Sequence, residues 1–201
     1  MTPLNALSPH QAFKIKDNED IWVFAYGSLM WNPEFIFEDM KPAHICGYHR
    51  RFCLKCLHFR GTPTQPGLVL GLDRGGSCRG VAFKIAPEHL TAALNSLWER
   101  EMGNSDAYLP RRIPVVIDND IDHKVMACVF ICNPQSGHYL TSRCQKTAAG
   151  IIRDGQGIRG SNFEYLERTV KQLRDLDIHD AQVEDIYKHA LQYSTAPIEL
   201  S

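Results

Sequence analysis

One carboxylate in this sequence stands where a proton-transfer group is expected. Leu90, Leu94 and Leu97 recur at the spacing of an apolar helix face, and the next position in that series is Glu101. At about 100° per residue, Glu101 falls only about 20° from Leu90 around the helix axis, whereas Glu99 falls about 180° away. Burial raises the pKa of a carboxyl group, and a Glu tuned in this way suits general acid–base catalysis near neutral pH. Glu101 is therefore a candidate catalytic residue, with a structural ion pair to a nearby arginine as the alternative.

A second candidate is the junction between a buried strand and the loop that follows it. Ile21 to Tyr26 is apolar and aromatic, which is typical of a buried strand, and Gly27-Ser28 interrupts it. Backbone N–H groups released from the strand ladder at such a step can bind an anion. The glycine patterns of nucleotide and dinucleotide sites are missing, so we expect a carboxylate rather than a phosphate. An ordinary tight turn is the alternative.

Cysteine and histidine are dense between His44 and His58, which makes a metal site worth testing. Cys53 and Cys56 are three residues apart in a strand-like stretch, and this offset places them on opposite faces. A zinc knuckle also needs a turn between its cysteines, and Leu54-Lys55 does not favour one. We therefore predict no metal and interpret the cysteines as small core residues, with a zinc-binding module as the least favoured alternative.

Composition limits the class of protein. The chain has 201 residues, with 22 Lys and Arg against 23 Asp and Glu, and a formal net charge of -1. This balance argues against nucleic-acid and membrane-surface binding and favours a small-molecule partner. We find no apolar stretch long enough to span a membrane and no secretory signal. Seven cysteines in no disulfide-framework spacing indicate free thiols, so we predict a cytoplasmic protein.

The elements that must position these residues are strands in the first two thirds and helices later. We predict strands near residues 21–26 and 43–59 (with a bend or bulge at Gly47), a hairpin of 68–72 with 80–85, and a pair of strands at 113–117 and 124–132. The hairpin is expected to turn at Asp73-Arg74-Gly75-Gly76. Helices are predicted at 87–102, after Tyr139, from the capping-box residue Ser161, and at 181–192. This order predicts the α+β class. The expected division is an N-terminal extension (1–20), one domain (21–193) and a C-terminal tail (194–201).

Several motifs occur in a fixed order along the chain. They are VFAYGSLMWNP at 23–33, GYHRRF at 47–52, RGT at 60–62, QPG at 65–67, GVAF at 80–83, WEREM at 98–102, YLP at 108–110 and NFEYL at 162–166. This series resembles the ChaC family of glutathione-specific γ-glutamylcyclotransferases, above all its bacterial branch. The resemblance implies a small mixed β-barrel with surrounding helices. It also implies a lyase that splits glutathione into 5-oxoproline and cysteinylglycine without a cofactor.

The resemblance also assigns roles to residues. The catalytic glutamate of the family corresponds to Glu101. The residues implied to bind the γ-glutamyl group are Phe24, Ala25, Tyr26, Gly27, Ser28, Leu29 and Tyr165. Contacts of Arg51, Tyr108 and Tyr139 with substrate stay open. Two other functions also stay open: a cyclotransferase for other γ-glutamyl amines or amino acids, and a non-catalytic γ-glutamyl-binding regulator.

Overall fold

The computed structural model describes residues 7–16, 19–103, 105–118, 120–141 and 144–193. Its five long strands are β1 (Ile21–Ala25), β2 (Asp39–Cys56), β3 (Gly67–Ile85), β4 (Tyr108–Ile117) and β5 (Asp120–Cys132). Its α-helices are α1 (Pro9–Phe13), α2 (Leu90–Met102), α3 (Gln145–Asp154), α4 (Asn162–Asp175) and α5 (Ala181–Gln192). Two 3₁₀ turns, Ser28–Met30 and Pro87–His89, precede β2 and α2, and a small ribbon of β6 (Gln156–Gly157) and β7 (Gly160–Ser161) precedes α4.

The five long strands close into a barrel in the order β1-β3-β2-β4-β5. All neighbours are antiparallel except β1 and β5, which pair in parallel and complete the ring. β1 is buried at all five positions, as expected for a strand covered on both faces. The predicted α+β class and the mixed barrel with packed helices are confirmed.

The predicted hairpin turn at Asp73-Arg74-Gly75-Gly76 is wrong. These residues continue through β3, which pairs with β2 along almost its whole length, from Asp39↔Lys84 to Cys56↔Gly67. Gly75 and Gly76 adopt positive φ angles opposite Gly47, which does the same, and the pairing register shifts there. The glycines therefore bend a long two-stranded ribbon instead of reversing the chain. The predicted bulge at Gly47 is confirmed.

The helices agree more closely with the sequence predictions. α5 covers the predicted 181–192, and the predicted helix from residue 87 is a 3₁₀ turn followed by α2. The predicted capping box at Ser161 is present in part, because its hydroxyl accepts a hydrogen bond from the Glu164 N–H. None of the described helices is long and apolar enough to cross a lipid bilayer.

Only part of the predicted N-terminal extension falls within the described residues. There it forms α1, whose Phe13 is 1% exposed and packs edge-on against Phe130 of β5 and Trp98 of α2. The predicted tail at 194–201 lies outside the described residues. The division at residues 20 and 193 stays a prediction.

Candidate active site

A cavity of about 440 Å³ opens at one end of the barrel, and a smaller chamber of about 30 Å³ adjoins it. The cavity wall includes the 3₁₀ turn after β1, the end of β2, the end of α2 and the first turns of α4. Its volume lies in the range of small-ligand sites. Four residues line both spaces and mark their junction: Ser28, Glu101, Tyr108 and Tyr165.

Glu101 lies in the last turn of α2, at the junction of cavity and chamber. Its side chain is 14% exposed, whereas Glu99 is exposed, as the leucine spacing predicts. Burial raises the pKa of Glu101, and the charge of Arg100, whose Nε lies 3.2 Å from Oε1, partly offsets this rise. The result is a buried carboxylate that binds a proton more readily than a free glutamate does.

Arg100 joins Glu101 to the loop after β1. Its guanidinium donates hydrogen bonds to the Ser28 hydroxyl at 2.8 Å, the Asn32 carbonyl at 2.7 Å and Glu34 at 2.9 Å. The arginine side chain is largely buried and uses a separate nitrogen toward Glu101. This network fixes the end of α2 against the 3₁₀ turn, so that Glu101 and Ser28 face one space.

The 3₁₀ turn has backbone donors beside the chamber that are unpaired within the described part of the chain. Met30 and Trp31 donate to the carbonyls of Gly27 and Ser28 and close the turn. Among the backbone hydrogen bonds of the described turns and loops, none is donated by the N–H groups of Gly27, Ser28 or Leu29. These three residues also line the chamber, so their N–H groups can bind an oxygen anion there.

Three tyrosines line the chamber, and burial raises the pKa of each phenol, so all three stay protonated at neutral pH. The Tyr26 hydroxyl donates to the Phe130 carbonyl at 2.8 Å, and that of Tyr108 donates to the Leu70 carbonyl at 2.9 Å. The Tyr165 hydroxyl instead accepts from the Leu70 N–H at 3.4 Å. A hydroxyl has one proton to donate, so Tyr165 is the tyrosine of the three that can donate to a ligand.

Tyr165 is positioned by a buried asparagine one turn earlier. Asn162, fully buried, accepts from the Leu68 N–H at 2.6 Å and donates to the Leu68 carbonyl at 2.7 Å. Residues three apart share a helix face, so this two-bond contact holds Tyr165 against Leu70, two residues along β3. The sequence motif contained Asn162, but no local signal revealed its role.

Most of the predicted loop residues meet at the chamber. Phe24, Tyr26, Gly27, Ser28 and Leu29 line it together with Glu101 and Tyr165. Ala25 does not: it is fully buried in β1, paired with Val81.

Of the residues whose contacts stayed open, Tyr108 lines the cavity. Arg51 and Tyr139 instead form a cluster with Asp73, where the arginine lies 2.6 Å from a carboxylate oxygen. The Tyr139 hydroxyl donates to the same carboxylate at 2.9 Å. This cluster ties the loop after β5 to the barrel wall and lies outside the cavity lining.

In the part of the chain that the structure describes, the cysteines make pairwise contacts rather than a metal site. Cys53 lies 3.4 Å from Cys132, sulfur to sulfur, while the Cys56 sulfur accepts the Arg60 N–H at 3.2 Å. The hydrogen bond to Cys53 and burial raise the pKa of the Cys132 thiol, so the thiol stays protonated at neutral pH. Among the described residues, no three His, Cys, Asp or Glu side chains lie close enough to hold a metal ion.

The closed barrel with its packed helices is a fold shared with a solved γ-glutamyl cyclotransferase. The yeast γ-glutamyl cyclotransferase specific to glutathione superposes with a TM-score of 0.80 at 22% identity, over 89% of this chain and 98% of that one. At this identity, the likeness establishes the fold.

Sequence comparison extends the likeness from fold to family. The ChaC-like protein family model matches residues 21–193, and the chain belongs to this family. The glutathione-specific γ-glutamylcyclotransferase of Escherichia coli is 36% identical over 170 residues, which cover 85% of this chain and 72% of that protein. The glutathione-specific γ-glutamylcyclotransferase 1 of Rattus norvegicus is 31% identical, over 83% of this chain and 78% of that protein.

Proposed function

We propose that this protein is a γ-glutamylcyclotransferase that converts glutathione into 5-oxoproline and cysteinylglycine. The observation that carries the proposal is Glu101, a carboxylate with a raised pKa at the junction of a ligand-sized cavity and a small chamber. We take the substrate from the names of the relatives, and we infer the reaction chemistry from the residues that line the cavity.

The reaction needs one group that accepts a proton and returns it. The α-amino group of the γ-glutamyl residue is an ammonium at neutral pH and has no lone pair until it loses a proton. Glu101 takes that proton, and the amine nitrogen then attacks the γ-carbonyl carbon of the same residue. The new N–C bond closes a five-membered lactam, and the bond from the γ-carbon to the cysteine nitrogen breaks. Glu101 gives its proton to the departing nitrogen. The attacking nitrogen loses a second proton as it becomes the lactam N–H, and this proton also ends on the departing amine, which leaves as an ammonium. Neither water nor a cofactor is consumed.

The other chamber residues orient the substrate and stabilise charge. The attack is intramolecular, so holding one folded conformer of the γ-glutamyl group lowers the barrier. The N–H groups of Gly27, Ser28 and Leu29 are suited to its α-carboxylate. The Tyr165 hydroxyl can donate a hydrogen bond to the γ-carbonyl oxygen, on which negative charge develops.

The proposal is tested by 5-oxoproline release from glutathione by wild type and Glu101→Gln. We expect the variant to fold and to lose activity by at least about 100-fold, the usual contribution of a positioned acid–base group. Glu88→Gln removes an exposed carboxylate just before α2 and is expected to leave activity unchanged.

Wild type that is folded but inactive on glutathione would reject the proposed reaction. Release of 5-oxoproline from γ-glutamyl-alanine in the same assay would then assign a cyclotransferase with another substrate. Near-normal activity of Glu101→Gln would reject the assigned base.

We also propose that the protein works in the cytoplasm. Support comes from its seven cysteines, which are free thiols, five of them buried. Thiols persist in the reducing environment of that compartment.

A further inference from the structure

The side chains that line the cavity carry an excess of positive charge, unlike the chain as a whole. Five cationic side chains line it, those of Lys55, Arg60, Arg100, Arg159 and Arg168, against the two carboxylates of Glu99 and Glu101. The formal net charge of the chain is -1. A local excess of positive charge in a cleft favours an anionic ligand.

Four of these cations already have carboxylate partners within 4 Å. The pairs are Arg100 with Glu34 and Glu101, Arg159 with Glu34, and both Arg60 and Arg168 with Glu164. Among the described residues, Lys55 has no such partner. A ligand can therefore bind the Lys55 ammonium without competing with a carboxylate of the protein.

Lys55 is held firmly although it is near the end of a strand. Its backbone N–H donates to the His138 carbonyl at 2.9 Å, and its carbonyl lies 3.2 Å from Nδ1 of the same residue. Its ammonium donates to the Gly137 carbonyl at 3.3 Å. An ammonium has three protons, so two remain to bind a ligand oxygen.

The position of Lys55 indicates which part of the substrate it can contact. Lys55 lines the cavity but not the chamber in which Glu101, Tyr165 and the 3₁₀ turn meet. The γ-glutamyl group must reach Glu101, at the junction of cavity and chamber, to react, so the cysteinylglycine portion extends outward through the cavity. The terminal carboxylate is the one anionic group of that portion.

We propose that Lys55 binds the C-terminal carboxylate of glutathione and thereby selects the tripeptide over γ-glutamyl dipeptides. The inference rests on the proposed function and names the specificity-determining residue of that site. In a γ-glutamyl dipeptide the carboxylate is one residue nearer the γ-amide, about 3.5 Å short of its place in glutathione.

The test is a comparison of two substrates with two proteins. Wild type and Lys55→Met are assayed with glutathione and with glutathione whose glycine carboxylate is replaced by a carboxamide. We expect Lys55→Met to lose about 10- to 100-fold in kcat/KM for glutathione, the usual effect of a charge-assisted hydrogen bond. For the carboxamide, the two proteins should be equally active.

Two further variants control the comparison. Lys55→Arg keeps the charge and should retain a preference for glutathione over its carboxamide. Lys124→Met removes an exposed lysine from β5 and should change neither substrate. Equal losses of Lys55→Met on both substrates would overturn the proposal and make Lys55 a structural residue, and so would no loss on either.

Binding separates this proposal from the proposed reaction. Calorimetric titration of glutathione and of its carboxamide into Glu101→Gln, with and without Lys55→Met, needs no turnover. If wild type proved inactive on glutathione, charge-dependent binding through Lys55 would still support the carboxylate contact. Binding that ignores the carboxylate or the lysine would overturn it.

Discussion

At the scale of single residues, the site depends on a glutamate that the fold holds in an unfavourable setting. Burial raises the pKa of Glu101 even though the Arg100 guanidinium is adjacent. The same shift that readies the carboxylate for proton transfer makes its ionised form unfavourable in the folded protein. Function and stability therefore make opposite demands on this residue.

That conflict predicts a pH-dependent gain of stability in Glu101→Gln. The pKa of Glu101 in the folded protein lies above its unfolded value near 4.5. The protonated carboxyl therefore contributes its full stability below pH 4.5, and this contribution is lost as pH rises through the folded-state pKa. The variant removes this loss, so we expect its Tm to exceed that of wild type near neutral pH. The difference should vanish at about pH 4, below both pKa values.

Calorimetric melting curves across this pH range measure the effect. Glu88→Gln should follow wild type throughout. A Tm difference that does not depend on pH, or a less stable Glu101→Gln at neutral pH, would contradict the burial argument.

The sequence identified Glu101 because a single helix carries its signal, in the spacing of Leu90, Leu94 and Leu97. Lys55 carried no such signal, because a lysine near a strand end is typical of any protein surface. Its role depends on the cavity, whose walls come from segments far apart along the chain. Sequence analysis also could not show that the Tyr165 hydroxyl keeps a proton to donate, because this depends on which of the three tyrosines donate to a backbone carbonyl.

At the scale of elements, a buried arginine connects the loop after β1 to the last helix. Arg50 of β2 is 3% exposed and donates to the carbonyls of Tyr26 and Arg79, both at 2.5 Å. It also donates to Asp180 at 2.7 Å. Asp180 caps α5 at the same time, since its other oxygen accepts the Val183 N–H.

The two roles of Asp180 can be separated by substitution. Asp180→Asn keeps a good capping residue but leaves the Arg50 guanidinium buried without a counter-charge. We expect a loss of about 3 kcal/mol in the free energy of unfolding, at the low end for buried pairs because Asp180 is partly exposed. Asp180→Ala should lose about 1 kcal/mol more, the contribution of the cap.

Urea unfolding measures both variants, with Asp185→Asn on the exposed side of α5 as the control. If Asp180→Asn were as stable as wild type, the ion pair would not hold the last helix to the barrel.

Most elements were predictable because each has a local periodicity or a cap, as the bounds of α5 illustrate. The one clear error, at Asp73-Arg74-Gly75-Gly76, has a physical reason. Glycines with positive φ serve both a reversing turn and a bulge in a continuing strand. What separates the two is the partner strand, and here β2 pairs with both halves of β3. Pairing of this kind is not encoded within the four residues.

At the scale of the whole molecule, α1 contributes to the same core as the barrel. Phe13 lies between Trp98 of α2 and Phe130 of β5, with ring centroids 6.4 and 5.5 Å away. Phe130 also lines the chamber. The short helix therefore supports the wall behind the candidate site.

Truncation of this aromatic side chain is expected to destabilise the protein. Phe13→Ala leaves a cavity in a fully buried position, which costs about 3–5 kcal/mol in the free energy of unfolding. Phe13→Leu should lose much less, because it keeps most of the buried volume. The urea midpoints of the two variants give the comparison, and an unchanged midpoint for Phe13→Ala would show that α1 does not support the barrel.

The pairing of β1 with β5, which closes the barrel, affects how the protein folds and where it opens locally. β1 pairs with β3 at five positions but with β5 at only two, Trp22↔Ala127 and Val23↔Cys128. These partners are far apart in sequence, so closing the ring between them costs much chain entropy and is expected late in folding. This seam, like the equally short pairing of β2 with β4, is a natural place for local opening. Because β1 leads directly into the 3₁₀ turn at the chamber, an opened seam dismantles the substrate site while most of the sheet is still paired.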